Sequence, residues 1–180
     1  MKILIDNNVL VDYLAKREPF FAAAREIFSL CYMKKISGYV AAHTITDCIY
    51  ILRDIPLDKR REMILEVFNY ISVIGVDREK LLSALTNFDF DDIEDCLQAV
   101  CAESLGLDYI VTRNGRDFAG SKVLPVTPSE FLFKLKLINP APIGAGALLF
   151  SLNGGAAVKC LLSRYRALCN YPRSKFCPYM

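Results

Sequence analysis

The sequence contains no tryptophan and a single histidine, His43. Its seven cysteines (Cys31, Cys48, Cys96, Cys101, Cys160, Cys169 and Cys177) are odd in number and include no CxxC pair. A zinc site, which needs clustered Cys and His ligands, is therefore poorly supplied. Net charge is also scarce. The formal value is +2, too small to announce a nucleic-acid binder by bulk charge. Acids are missing altogether from residues 137–180, which carry 5 Lys/Arg, whereas residues 1–136 carry 17 Lys/Arg and 20 Asp/Glu. The N-terminus meets an acid at Asp6 and has no signal-peptide core. A reducing, cytoplasmic compartment is expected, with the thiols mostly filling the core. No internal repeat is present.

What the sequence does have is enough apolar material for a sizeable core. At 180 residues, 53% hydrophobic and 23% charged, it reads as one domain with an appendage rather than a disordered or collagen-like chain. The domain is expected over 1–136. The appendage, 137–180, holds half of the prolines and is expected to be poorly ordered. Its uncharged run from Leu137 to Val158 is long enough to span a bilayer, but prolines, glycines and Asn153 dilute it, so no membrane partner is expected. A helix around 156–168 is left open.

Within 1–136, hydrophobic periodicity predicts strands alternating with helices. Lys2–Ile5 is a short apolar run of the kind buried on both faces of a sheet, and it stops at the helix-capping residues Asp6, Asn7 and Asn8. Further strands are expected at 38–40, 72–76, 108–112 and 122–126, the last at an edge because of Pro125. Helices are expected over 9–16, from Phe20 to about Lys35, from Thr44 to Leu52, and over 57–70, 77–86 and 129–136. The best-marked helix starts at Asp92, presents Ile93, Leu97, Val100 and Cys101 on one side, and stops at Gly106. This alternation implies a three-layer α/β/α sandwich around a central, mostly parallel sheet.

Ligands of such sheets bind beyond the carboxyl ends of the strands. Asp6 follows the first strand, and Asp117 lies a few residues beyond the strand ending at Thr112. Asp47 and Asp95 are expected in the first turns of their helices. Each lies about 200° around from the leading apolar residue, and so faces solvent or a groove. Taken singly, each acid reads as a cap or a solvated charge. Thr44/Asp47 and Asp92/Asp95 both have capping-box spacing, and Asp6 alone reads as a helix cap. Taken together, they form a convergent set. Two carboxylates about 4 Å apart repel by about 4 kcal/mol at an effective dielectric near 20, so four together require shared protons or a cation. An all-oxygen set suits Mg²⁺ or Mn²⁺.

Three stretches carry a resemblance: Met1-Lys-Ile-Leu-Ile-Asp6-Asn-Asn-Val-Leu-Val-Asp12, Phe90-Asp-Asp-Ile-Glu-Asp95-Cys-Leu-Gln98, and Tyr109-Ile-Val-Thr-Arg-Asn-Gly-Arg-Asp117-Phe118. In this order the chain resembles a PIN domain, the ribonuclease fold of VapC-type toxins, from Met1 to about Leu135. The resemblance implies a metal-binding acidic cleft that cuts RNA, with Asp6, Asp95 and Asp117 as ligands. Asp47 takes the second acidic position, where many relatives have Glu. At the fourth position many relatives have Asp directly after Thr-x; here Asn114 stands there, with Asp117 three residues on to supply the charge. The implied chemistry is metal-assisted phosphodiester hydrolysis. Asn114, Arg113 and Arg116 are expected at the substrate, the two arginines holding its backbone. An antitoxin partner and a homodimer are family expectations, and the aromatic helix bearing Phe20, Phe21 and Phe28 offers either a subunit face or core packing. His43 is expected to be structural or at the surface; Asp12, Asp91, Asp92 and Glu94 are assigned to capping and solubility. Two rival readings are a catalytically silent PIN-like RNA- or protein-binding module, motivated by Asn114, and a haloacid-dehalogenase-type phosphohydrolase, which would need an acid where Asn8 stands.

Overall fold

A computed structural model describes residues 1–138. The expectations for the basic appendage, including the 156–168 helix, fall almost entirely outside the described residues. Five strands form one sheet in the order β3-β2-β1-β4-β5, and every pairing is parallel. They are β1 (Lys2–Ile5), β2 (Ser37–Ala41), β3 (Ile71–Ile74), β4 (Tyr109–Val111) and β5 (Leu124–Val126). The seven helices among the described residues are α1 (Asn7–Leu14), α2 (Phe21–Tyr32), α3 (Ala42–Ile51), α4 (Leu57–Val67), α5 (Arg78–Leu85), α6 (Ile93–Ser104) and α7 (Pro128–Ile138). A short 3₁₀ turn, Gly115–Phe118, lies between β4 and β5. No helix among the described residues is long and apolar enough to cross a membrane.

The strand pleat sorts the apolar residues into two layers. Ile3, Ile5, Val40 and Val111 point to a cluster shared with Val9, Leu10, Ile27, Phe28, Ile64 and Phe131, drawn from α1, α2, α4 and α7. Leu4, Ala41 and Ile110 point the other way, against Ala99, Cys101 and Ala102 of α6. Burial on both faces is why β1 reads as an unbroken apolar run rather than an alternating one. Phe28 is buried and stacks on Tyr13 with ring centroids 4.1 Å apart, so at this position the aromatic residues of α2 serve the core rather than a subunit face. Cys31, Cys48, Cys96 and Cys101 are free and buried. Burial pushes the Cys31 and Cys48 thiols up to about 12, which makes them packing groups rather than nucleophiles.

Three local expectations need correcting. The third helix starts at Ala42, not Thr44, because β2 passes into it with no loop: Ala41 is both the last strand residue and the cap. Thr44 is thus inside α3 and fully buried, the proposed Thr44/Asp47 capping box does not form, and Asp47 sits in the second turn. In α6 the buried stripe is centred on Cys96, Ala99 and Ala102; Ile93 is 56% exposed. Ala99 and Ala102 pack with Leu4, Ala41 and Ile110 of the sheet, whereas Ile93, the first residue of the helix, lies outside that cluster. Asp92 caps this helix as expected, accepting from the Glu94 amide at 2.6 Å, and Gly106 follows its end with φ +57°. The helix of 57–70 ends at Val67.

Gly38 of β2 marks the tightest packing in the sheet. A Cβ there would lie 2.5 Å from Ile71 Cδ1 and 2.7 Å from Cys31 Sγ, both in the core. Gly38→Ala is expected to lower unfolding free energy by about 1–3 kcal/mol through overpacking, measured by denaturant titration.

Candidate functional site

β1 is the central strand. Its neighbours β2 and β4 run away from it in opposite directions along the sheet order, so the carboxyl end of β1 is the topological switch point. Asp6 stands there, only 4% exposed. Its backbone continues the ladder, Asp6 N–H donating to the Val111 carbonyl at 3.1 Å, and it occupies the cap position of α1. Its side chain caps nothing. Instead Oδ2 accepts from Thr112 Oγ1 at 2.7 Å and from the Asn8 side-chain amide, while Oδ1 accepts from Gln98 Nε2 at 3.0 Å. Thr112 is itself oriented by the Asn114 N–H at 3.0 Å, and Asn8 by accepting from the Arg113 N–H at 3.2 Å. The helix-cap reading of Asp6 is therefore overturned: α1, β4 and α6 all direct polar groups at one carboxylate. Burial raises its pKa above the usual carboxylate range, and the Thr112 and Gln98 hydrogen bonds oppose that shift.

The other acids lie within the electrostatic reach of Asp6. Asp95, half-buried on the first turn of α6, has its pKa pushed up to about 7, first by burial and then by the charges of Asp6, Asp92, Asp117 and Glu94. Asp117, exposed on the 3₁₀ turn, acts on both Asp6 and Asp95. Asp47 meets Glu94, whose pKa is raised by burial first and by Asp47 and Asp6 after it. Glu94 thus belongs to the acidic group and is more than a solubilising charge. His43, in the first turn of α3, faces Asp47 and Asp6. Neither ring nitrogen has a hydrogen-bond partner, the Glu94 backbone lying near without hydrogen-bond geometry, and burial lowers its pKa. Of the two expected roles, structural or at the surface, His43 fits neither fully: it is half-buried and its ring is unpaired.

Arg113 and Arg116 have different surroundings. Asp12, assigned to solubility from sequence, is 1% exposed, and Arg113 Nε lies 3.2 Å from its Oδ2. The contact has ion-pair distance without hydrogen-bond alignment. The guanidinium also stacks 4.2 Å above the Phe20 ring. Arg113 is therefore committed to neutralising a buried charge, while Arg116 is exposed beside Asp117. Asn114 is exposed, and it organises Thr112 through its backbone N–H, which any residue but proline supplies.

Among the described residues no three Asp, Glu, His or Cys side chains are drawn close enough to form a finished ion cage. What the chain does provide is Asp6, Glu94 and Asp95, whose pKa values are raised by burial first and by neighbouring acids after it, a field that a divalent cation relieves. The donors are oxygens, which suit Mg²⁺ or Mn²⁺, and Asp6, Asp95 and Asp117 fit that role. Sequence reasoning missed Gln98, Thr112 and Asn8 as the partners of Asp6. Only Gln98 left a signal: it is a lone polar residue in the buried run Cys96–Ala102, one helical turn after Asp95.

Two expectations follow. Between pH of about 4 and 7 the unfolded chain carries Asp95 ionised while the folded chain keeps its proton, so the unfolded state binds fewer protons and stability falls as pH rises, levelling above about 7. Calorimetric melts in chelator should show a lower Tm at about pH 8 than at about pH 5.5, with Asp95→Asn flattening that slope. Arg113→Ala, which strands Asp12, should cost roughly 3 kcal/mol in denaturant unfolding. Arg116→Ala should stay within about 0.5 kcal/mol.

The sequence profile of the PIN domain family matches residues 2–116, a span that includes Asp6, Asp47, Asp95 and Asn114 and ends one residue before Asp117. Among the curated proteins none matches this sequence. Several solved structures share the fold. A toxin–antitoxin complex from Klebsiella pneumoniae aligns with a TM-score of 0.54 at 17% identity, over 70% of this chain and 97% of that one. VapC20 from Mycobacterium tuberculosis, described as a toxin that cleaves the sarcin–ricin loop, aligns at 0.57 and 15%, over 70% and 99%. VapBC2 from Rickettsia felis, bound to a promoter DNA fragment, aligns at 0.53 and 12%, over 71% and 98%. With a parallel sheet of this order, an acid buried at its switch point and a profile match over most of the chain, the protein belongs to the PIN domain family.

Proposed function

We propose that this protein is a divalent-metal-dependent endoribonuclease. The observation that carries this reading is Asp6, a carboxylate buried at the switch point, held by three side-chain donors and sharing its field with Asp95 and Asp117. What separates Asp6 from the equally buried Asp12 is its company: among the described residues no arginine or lysine pairs with it, its side chain makes no cap hydrogen bond, and Asp117 adds to the burial that raises its pKa.

In this reading Asp6, Asp95 and Asp117 hold the ion. When bound, Mg²⁺ or Mn²⁺ supplies a water-derived hydroxide near neutral pH and stabilises charge on the phosphate and the leaving oxygen. The chain's own residues do the rest. Gln98, Asn8 and Thr112 fix Asp6 before substrate arrives. Asp95, with its pKa near 7, sheds its proton when a cation compensates its charge. Asp47, with Glu94, lines the neighbouring wall. Arg116, exposed and beside Asp117, contacts the RNA backbone, and Asn114 sits next to it. Arg113 contributes through Asp12 and Asn8 by holding the rim in place.

The catalytically silent alternative rested on Asn114. Since Asn114 serves Asp6 only through its main-chain N–H, its side chain is not what the arrangement of Asp6 requires. The toxin half of a toxin–antitoxin pair, acting in the cytoplasm, is part of the same proposal; the resemblance to structures of toxin–antitoxin complexes supports it. A homodimer remains a family expectation within it.

The test is cleavage of a labelled structured RNA with Mn²⁺, with EDTA, and with the variants Asp6→Asn and Asp95→Asn. Cleavage is expected with Mn²⁺ alone and lost in the other three conditions. Undiminished cleavage by both variants would sink the assignment.

A further inference from the structure

Gln98 lies three residues after Asp95 on α6, one turn further along the helix. It is 1% exposed, on a stripe otherwise made of Cys96, Leu97, Ala99, Cys101 and Ala102. A buried amide is costly unless its groups are paired. Here only the Nε2 end is paired, with Asp6 Oδ1 at 3.0 Å, and Oε1 has no partner. The amide orientation follows from charge: turning Oε1 inward would set an acceptor against a carboxylate.

A carboxylate has about four lone-pair directions, two on each oxygen. Asp6 Oδ2 accepts from Asn8 and from Thr112, and so is filled. Oδ1 accepts only from Gln98. The Asn7 backbone N–H also favours the charged form. Of the two oxygens, Oδ1 therefore carries the fewer side-chain donors.

We propose that Gln98 is a positioning residue that turns Asp6 so that Oδ1 alone is offered to a divalent cation, in a monodentate contact. The same helix carries Asp95, so α6 sets the spacing between two ligands: one directly, the other through a hydrogen bond. This rests on the metal-dependent reading and specifies how one of its ligands is aimed. Gln98 itself touches neither ion nor substrate. Its amide fixes the carboxylate plane, as the hydrogen-bond partners behind metal ligands do elsewhere.

Two measurements decide it, neither of which uses activity. The first is a crystal structure of the full chain with Mn²⁺, where a single contact from Asp6 Oδ1 is expected; contact through Oδ2, or through both oxygens, overturns the proposal. The second is calorimetric Mn²⁺ titration of Gln98→Met and Gln98→Leu, read on whichever keeps a cooperative melt in chelator. Losing the amide should raise the Kd by about 10–100-fold. Unchanged affinity in a folded variant overturns the inference and leaves the metal reading intact. Unmodified protein that takes up no Mn²⁺ overturns that reading, and the inference with it. Should neither variant fold, the coordination seen in the crystal decides.

Discussion

A single negative charge with almost no access to solvent organises the molecule's functional end. Asp6 is unfavourable where it stands, and its surroundings compensate. Its partners come from α1, which follows it directly, and from α6 and the end of β4, with Gln98 92 residues away and Thr112 106 residues away. Assembling them requires the sheet to be formed, since β1 must lie beside β4 before Thr112 can reach Asp6. Fold and site are thus one construction, and burial of the carboxylate is possible because the donors are already in place.

Around that charge the other acids form a graded set. Burial first, and then the charges of Asp6, Asp92, Asp117 and Glu94, let Asp95 hold a proton near neutrality, while Asp117 remains at the surface. Positive charge is placed with equal care. Arg113 is spent on Asp12 and packed over Phe20, which keeps it from collapsing onto the acids. An ion arriving from solvent would therefore meet carboxylates that Arg113 does not neutralise.

Much of this was legible in the sequence because it depends on local pattern. The apolar run of β1, the Pro125 edge strand and the Gly106 stop each follow from backbone chemistry that neighbours do not override. The acids at strand ends were legible for the same reason: topology puts strand ends together. Orientation was less accessible. Asp12 looks like an ordinary helix-surface charge until Arg113, about a hundred residues on, is brought against it. Glu94 reads as a helix-start acid until α3 delivers Asp47 to it. Ile93 fits a helical apolar stripe by spacing, yet as the first residue of α6 it lies beyond the cluster that buries Ala99, Cys101 and Ala102. In each case the deciding fact is a long-range contact, which periodicity does not encode.

The loop-free junction at Ala41–Ala42 leaves no slack on one wall of the cleft. Because each helical residue turns the chain by about 100°, one amino acid gained or lost there would swing Asp47 to another side of α3, away from Glu94. Length variation among homologues should therefore be absent from that joint and gather instead in exposed connections such as the stretch around Phe88, where α5 gives way to α6. Such a connection can change length without altering the angle at which α3 presents Asp47 to Glu94.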